Sequence, residues 1–299
     1  MKTVFVTGVT GYIGGSVAIQ LLKKGYQVSG LIRKKSEETQ VKELGIEPLL
    51  GSLEEVHAIE EYIDRADAVI NVADADNSFF VATALERLKG TGKTFIHTSG
   101  SSIVAHRDNG ERSDKIYDED MEIDAALEKI GRIAINKSVL AHSSQNVRTI
   151  VIVPTMIYGH GLGVKKDSIQ APKMVELAKA KGIGTHIGKG ENIWSNVHIQ
   201  DLAALYVLAL ENAEAGSIFF AENGSASFKE IAVAINKRFN FGEETASIDI
   251  DEAIKLWNPE GAHFAFGSNS RVKSDKARKI LGWAPKYNSL LHFLETLEE

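Results

Sequence analysis

Three glycines near the start of the sequence are spaced to hold an anion. Gly8, Gly11 and Gly14 follow a run over 2–6 that is rich in β-branched and aromatic side chains, and a helical pattern over 13–22 comes next. In such a turn the first glycine permits the bend, the second lets backbone N–H groups approach a pyrophosphate, and the third allows close helix packing. The anion would lie at the helix N-terminus, where free N–H groups and the helix dipole favour negative charge. The pattern predicts dinucleotide binding, with an ordinary tight turn as the alternative.

The residues of this turn are the first candidate ligands of the dinucleotide. A second strand, over 26–32, follows the helix and completes a strand–helix–strand unit. The candidate contacts in the turn are Gly8, Thr10, Gly11, Tyr12, Ile13 and Gly14.

The end of the second strand indicates which dinucleotide binds. Folds that prefer NAD usually place Asp or Glu about 20 residues after the glycine turn, to hold the ribose 2′-hydroxyl. This chain has Arg33 and Lys34 there, and no carboxylate before Glu37. A carboxylate would repel a 2′-phosphate, whereas Arg33 can bind it bidentately while Lys34 adds positive charge. The sequence therefore predicts NADP rather than NAD, with a solvated basic loop as the alternative.

The fourth predicted strand, 68–73, is fully apolar, as expected in a buried parallel sheet. Ligands of open parallel sheets bind at the carboxyl ends of strands, so we expect Ala73 near the cofactor. Asp74 and Asp76 follow it. The segment from Asp74 to Asn77 is expected to cap the next helix, 79–88. The two carboxylates are either site residues or part of this cap, because a helix N-terminus favours carboxylates.

Several further motifs occur in order along the chain. They are His-Thr-Ser-Gly at 97–100, Pro-x-x-Ile-Tyr-Gly at 154–159, Gly-Lys-Gly-x-Asn-x-Trp-x-Asn-Val-His at 188–198 and Leu-Gly-Trp-x-Pro at 281–285. With the Gly-x-x-Gly-x-x-Gly turn, the sequence resembles extended, atypical members of the short-chain dehydrogenase/reductase superfamily that are epimerase/dehydratase-like. The resemblance implies a doubly wound Rossmann α/β fold with a smaller C-terminal α/β substrate domain.

The resemblance also implies roles for particular residues. It places the hydroxyl that bonds the reacting carbonyl at the end of the fifth strand, 94–99. Ser99 is the first choice and Ser101 the second, and a turn that satisfies its own backbone is the alternative. The remaining cofactor contacts that it implies are Ser52, Leu53 and Pro154.

The chain departs from the superfamily on the helix that normally carries Tyr-x-x-x-Lys. There the tyrosine exchanges the substrate proton, and the lysine lowers its pKa and binds the nicotinamide ribose. On the predicted helix 123–144, this chain has Ile133 and Lys137 at those places. Ile133 cannot transfer a proton. Water or another group would supply it, and the spacing does not distinguish among Tyr117, Tyr158, His97 and His160. Lys137 lies on a stripe of buried residues, so it either binds the ribose or extends from the stripe's edge into solvent.

These features predict an NADP(H)-dependent oxidoreductase that acts on the carbonyl or alcohol of a small molecule. One alternative is a sugar-nucleotide epimerase or dehydratase, which the resemblance implies but which also relies on the missing tyrosine. The other is an NADP-binding regulator or sensor without catalysis. A loop over 161–168 could lie over the site, with Lys165 and Lys166 meeting a phosphate or carboxylate, or it could be merely solvated.

The domain organisation follows from the same motifs. Residues 1–158 and 197–224 are expected to form the NADP-binding Rossmann domain, and residues 159–196 and 225–299 the substrate-binding region. The resemblance further implies a homodimer that forms through the helices predicted at 79–88 and 123–144.

The bulk composition narrows the classes of partner and location. The 299 residues carry a formal charge of −6 and no cysteine. This charge balance favours neither a nucleic-acid nor a membrane partner, and the sequence has no disulfide, thiolate chemistry or metal-ligand spacing. Because Met1 leads directly into the first strand, we expect no signal peptide and a cytoplasmic location.

Overall fold

A computed structural model of the protein describes residues 2–298. Its strands are β1 (Thr3–Val6), β2 (Gln27–Ile32), β3 (Glu47–Leu50), β4 (Ala68–Asn71), β5 (Thr94–Thr98), β6 (Arg148–Pro154), β7 (Met156–Tyr158), β8 (Thr185–Ile187), β9 (Ile193–His198), β10 (Ser217–Ala221), β11 (Ser225–Ser227) and β12 (Ala246–Ile248). Its α-helices are α1 (Tyr12–Lys23), α2 (Glu38–Glu43), α3 (Val56–Arg65), α4 (Ser78–Leu88), α5 (Ile130–Ala141), α6 (Gln170–Lys181), α7 (Ile199–Asn212), α8 (Phe228–Phe239), α9 (Ile250–Gly261), α10 (Asp275–Leu281) and α11 (Leu290–Glu295).

The largest sheet has seven parallel strands in the order β10-β6-β5-β4-β1-β2-β3. The chain winds outward from β1 in one direction through β2 and β3, and in the other through β4, β5 and β6. The strand order therefore reverses between β1 and β4, and in open α/β sheets this switch point is where ligands bind. The predicted doubly wound Rossmann α/β fold is confirmed.

Alternation along the central strands covers both faces of this sheet. Val4 and Val6 pack with α1, α7 and α10 on one face, whereas Phe5 packs with α3 and α4 on the other. Strands β4 and β5 are buried along their whole length, as required when helices cover both faces. The sheet is thus a rigid base whose carboxyl edge carries the candidate site.

A third apolar cluster lies in the remaining part of the chain. Two small sheets, β11-β9-β7 and β12-β8, pack there with α6, α8, α9 and α11. Trp194 of β9 is buried in this cluster, and its indole N–H donates to the carbonyl oxygen of Ser268 (2.9 Å). No helix within residues 2–298 has both the length and the hydrophobicity to cross a lipid bilayer.

One predicted helix is shorter than expected. The helix predicted over 123–144 is α-helical only from Ile130 to Ala141, with short 3₁₀ turns on either side. Ile123 packs against the apolar cluster of the sheet from an extended segment instead. The sequence pattern missed this because an apolar side chain reaches the same core from either conformation.

Candidate cofactor and active site

The glycine turn has the backbone geometry that its sequence predicted. Gly8 has a φ of 68°, which favours glycine, and its Cα faces the main chain of Ala73: a Cβ there would lie 2.9 Å from the Ala73 Cα. At Gly14 a Cβ would overlap the carbonyl oxygen of Gly8 and lie 2.7 Å from its carbon. The turn therefore packs the start of α1 directly against the ends of β1 and β4.

The N-terminus of α1 is open to a ligand. Gly11 precedes the first turn of α1, no side chain caps that turn, and no acidic residue lies in it. Uncapped N–H groups and the positive end of the helix dipole form an anion site. A cavity of about 480 Å³ lies against this helix end, within the usual size range of small-molecule sites.

Most of the predicted cofactor ligands line this one cavity. Those on its wall are Gly8, Thr10, Gly11, Tyr12, Ile13, Gly14, Arg33, Ser52, Leu53 and Ala73. Lys34, Lys137 and Pro154 do not line it, although Thr155, next to Pro154, does. The cavity wall also includes residues that the sequence did not single out: Leu31, Glu54, Val72, Asn77, Thr155, Ile157, Ser168, Ile169 and Gln170.

The end of β2 brings an arginine to the cavity and keeps a carboxylate occupied. Arg33 is exposed and lies on the cavity wall. Glu37 accepts the backbone N–H groups of Arg33 and Lys34 through the same carboxylate oxygen, both at 3.1 Å. This carboxylate therefore caps the end of the strand rather than projecting as an independent ribose ligand.

A buried polar network joins the carboxyl ends of β1, β4 and β5. Thr7 Oγ1 donates to Asn71 Oδ1 (2.8 Å), and Asn71 Nδ2 lies 3.2 Å from His97 Nδ1. Burial lowers the pKa of His97 to about 4. The imidazole is therefore neutral at pH 7, with its Nδ1 facing the side-chain amide of Asn71.

The two predicted serines have different neighbours. Asn136 on α5 is buried and donates from Nδ2 to Ser99 Oγ (2.9 Å). Ser101 Oγ lies 2.8 Å from the hydroxyl of Ser270, in the C-terminal part of the chain. Ser99 thus faces the helix on which the superfamily carries its proton donor, while Ser101 joins two segments of the fold.

One turn before Asn136, the same face of α5 carries a fixed cation. Arg132 donates from Nε to Asp76 Oδ1 (2.8 Å), from Nη2 to Asp76 Oδ2, and from Nη1 to Ser102 Oγ (3.1 Å). The hydrogen bonds from Arg132 lower the pKa of Asp76. Within the segment predicted to cap α4, the cap is Asn77, which accepts the Phe80 N–H (2.9 Å). Asp76 pairs with Arg132 instead, and Asp74 lines the cavity at the start of α1.

The predicted orientation of α5 is wrong by about one residue. Lys137 is exposed, as is Ala134, and the buried positions are Asn136 and Val139. The apolar stripe assumed in the sequence includes Ile130, which is 51% exposed. Arg132 and Asn136 are polar and lie four residues apart, which places them on the same face of this helix. That spacing was the signal for the correct orientation.

A larger cavity, of about 990 Å³, lies outside the sheet edge along the groove between α4 and α5. Arg132, Asp76, Lys129 and Glu260 lie on its wall. Lys129 is buried, pairs with Glu260 and has its ammonium 4.4 Å from the centre of the Phe264 ring. The glycine turn does not line this groove, so the smaller cavity is the candidate cofactor site.

Comparison with known proteins identifies a family and several relatives of this chain. The model of the NAD dependent epimerase/dehydratase family matches residues 4–220. Uncharacterized protein C2A9.02 of Schizosaccharomyces pombe is 31% identical to this chain, over 96% of each sequence. The 2-alkyl-3-oxoalkanoate reductase of Stenotrophomonas maltophilia is 27% identical, over 74% of this chain and 70% of the reductase.

A solved structure has the same fold. The dTDP-glucose 4,6-dehydratase of Bacillus anthracis, in complex with NAD, superposes with a TM-score of 0.77 over 99% of this chain and 94% of the dehydratase. The two sequences are only 15% identical, so this likeness shows the fold alone.

Proposed function

The chain belongs to the NAD dependent epimerase/dehydratase family, and from this premise we propose that it is an NADP(H)-dependent oxidoreductase acting on the carbonyl or alcohol of a small molecule. The observation that carries the proposal is the cavity at the switch point of the sheet, bounded by the uncapped start of α1 and by Arg33. A nicotinamide dinucleotide supplies or accepts the hydride when bound. The residues of this chain bind it, orient the substrate and polarise the reacting oxygen.

The cavity wall fits a dinucleotide at each part of the molecule. The glycine turn would hold the pyrophosphate, because Gly11 carries no side chain at the start of α1 and the first turn of α1 offers uncapped N–H groups. Ser52 and Leu53, beyond β3, would contact the adenine. Ala73, just after β4, would also contact the cofactor.

NADP is favoured over NAD by the charges at the end of β2. Arg33 lies on the cavity wall, and its guanidinium can form two hydrogen bonds to a 2′-phosphate. The nearest carboxylate in the sequence, Glu37, is bonded to two backbone N–H groups. At the end of β2, a cation therefore stands where an acidic side chain would favour the ribose hydroxyl of NAD. Lys34 would strengthen this field from outside the cavity.

On the substrate side, we propose that Ser99 polarises the reacting oxygen. Its Oγ accepts the amide hydrogen of Asn136, so its own hydrogen is free to donate to a substrate oxygen. Water then supplies the proton that a tyrosine supplies elsewhere in the superfamily. Ser101 stays the second choice for this role.

The second candidate function is an NADP-binding regulator without catalysis. The absence of the tyrosine favours it, because a binding protein needs the glycine turn but no proton donor. Loss of general acid–base catalysis typically costs about 10²–10⁴-fold in rate, which leaves room for slow turnover. A sugar-nucleotide epimerase or dehydratase is disfavoured by the same loss and by the basic end of β2.

The division into domains, the oligomeric state and the cellular location are also proposals. Residues 1–158 and 197–224 would hold the cofactor, and 159–196 with 225–299 the substrate. A homodimer would cover Phe79 and Leu127, which are each 81% exposed beside the groove between α4 and α5. Light scattering after gel filtration tests this dimer: a mass near twice 32.6 kDa supports it, and a mass near 32.6 kDa refutes it. A cytoplasmic location stays a prediction.

The proposed activity is tested by mixing the protein and NADPH with a panel of aldehydes, ketones and 3-oxo acids while following absorbance at the reduced nicotinamide band. The expected result is turnover of one class that falls at least tenfold in Ser99→Ala. NADPH binding without turnover of any compound would instead support the regulator.

A further inference from the structure

The segment that follows β7 is fastened to the first turn of α1. We call residues 159–166 the strap. Tyr12 Oη donates a hydrogen bond to the carbonyl oxygen of Gly159 (2.7 Å), and the Leu162 N–H donates to Ser16 Oγ (3.0 Å). The Ser16 hydroxyl in turn donates to the carbonyl oxygen of Tyr12 (2.7 Å). The helix that binds the cofactor is thus bonded directly to the start of the region proposed to bind substrate.

The strap also packs on α1 without intervening side chains. A Cβ at Gly163 would lie 2.6 Å from the Cα of Gly15, and a Cβ at Gly15 would lie 3.1 Å from the Cα of Gly163. Any side chain at either position would push the two backbones apart. This contact fixes the distance between the strap and the helix.

The strap's turn carries Lys165 to the start of α1. The Gly161 N–H donates to the carbonyl oxygen of Lys166 (2.8 Å), which folds the strap back on itself. A Cβ at Gly161 would overlap the carbonyl oxygen of Lys165 and would lie 2.9 Å from the ring of Tyr12. The backbone of Lys165 therefore lies beside the first residue of α1, and Lys165 lines the cavity with Gly11 and Tyr12.

The charge of Lys165 has no internal partner. Within residues 2–298, no carboxylate lies within ion-pair distance of its ammonium, and Lys165 is exposed and lines the cavity. Asp167, directly after the strap, is exposed, and its charge adds to burial in raising the pKa of Tyr12. The start of α1 is itself uncapped and has no acidic residue. A free cation and a free helix N-terminus thus face one cavity.

We propose that Lys165 is a ligand of the dinucleotide's pyrophosphate, contributed by the strap rather than by the glycine turn. This inference rests on the proposed cofactor. A compact ammonium on a flexible stem suits a phosphate oxygen as a point charge. Arg33 and Lys165 then divide the work: Arg33 binds the 2′-phosphate at the end of β2, and Lys165 binds the pyrophosphate at the start of α1.

The test compares Lys165→Ala with Lys166→Ala in the full-length protein. Both variants remove one exposed lysine of the strap, but only Lys165 lines the cavity. Dissociation constants for NADPH and NADH are measured by fluorescence, and for adenosine 2′-monophosphate by calorimetry. The last probe carries the 2′-phosphate but no pyrophosphate. We expect Lys165→Ala to weaken both NADPH and NADH about tenfold, while its affinity for adenosine 2′-monophosphate and all constants of Lys166→Ala stay within about threefold.

Two results would overturn the inference while the proposed cofactor stands. One is wild-type affinity for NADPH in Lys165→Ala. The other is an equal loss for adenosine 2′-monophosphate, which would move Lys165 to the 2′-phosphate. Failure of the wild-type protein to bind either dinucleotide would overturn the proposed function itself, and this inference with it.

Discussion

Replacing Arg33 with Asp tests the source of cofactor selectivity. Arg33 is exposed on the cavity wall, at the end of β2, and Glu37 is already bonded to the backbone there. The substitution removes the only cation that this strand end gives to the cavity and places a carboxylate where the 2′-phosphate would lie. NADPH should lose affinity, whereas NADH, which has no 2′-phosphate, should not.

The size of the loss follows from the exposure of the side chain. Two unit charges about 4 Å apart interact by about 1 kcal/mol in bulk water. A phosphate carries about −1.5 to −2 charges at pH 7, and the substitution changes the side-chain charge by two. The product is about 3–4 kcal/mol, and physiological salt screens part of it. We therefore expect a loss of about 1.4–2.8 kcal/mol, or 10–100-fold in the NADPH dissociation constant.

The assay is a fluorescence titration of both dinucleotides at two salt concentrations. Lys35→Asp is the matched control, because Lys35 is exposed two residues further on and does not line the cavity. Arg33→Asp should lower the ratio of NADPH to NADH affinity at least tenfold, and the control should leave it within about twofold. An unchanged ratio in Arg33→Asp would refute the proposal that Arg33 binds the 2′-phosphate.

Three further predictions concern the frame of the site. Gly14→Ala should destabilise the protein by about 1–3 kcal/mol and weaken NADPH binding, because its Cβ overlaps the carbonyl oxygen of Gly8; Gly131→Ala on α5, where nothing lies within 4 Å, is the control in thermal melts, and equal melting temperatures would contradict the clash. Lys137→Ala should leave the NADPH dissociation constant within about twofold, because its side chain is exposed and off the cavity, and a tenfold rise would restore its ribose role. Burial holds the pKa of His97 at about 4, below the value of about 6.5 expected in the unfolded chain. Protonation of the unfolded state should therefore cost about 2 kcal/mol of stability between pH 7 and pH 5. Urea unfolding of the wild type and of His97→Gln at both pH values tests this, and a loss of stability in His97→Gln as large as in the wild type would contradict it.

The parts of the site set by backbone rules were predictable from the sequence. Gly8 and Gly14 reveal a turn with a positive φ and a position that excludes a Cβ, because no other residue fits such places. Apolar strands with helical patterns between them imply a parallel sheet, in which the end of β2 lies at the same edge as the glycine turn. Arg33 followed from that register alone.

The catalytic side was harder to predict because it depends on the rotation of one helix. A shift of one residue on α5 turns the side chain by 100°, which exchanges Lys137 for Asn136 at the face of the sheet. The apolar stripe did not fix that rotation, since Ile130 is exposed in the structure. The pair of Arg132 with Asp76 spans 56 residues, and no local pattern marks such a contact.

Lys165 was visible in the sequence only as part of a charged loop. Its place beside α1 depends on the close approach of Gly163 to Gly15, two glycines 148 residues apart whose contact requires the whole sheet. A glycine outside a recognised motif can therefore also mark a place where a distant backbone segment approaches closely.

The central claim is that the cavity at the start of α1 binds NADP(H). Its most direct test is a fluorescence titration of the purified protein with NADPH and NADH. We expect saturable binding of both with a clear preference for NADPH. No binding of either dinucleotide would mean that the glycine turn is purely structural, and it would contradict both the oxidoreductase and the regulator.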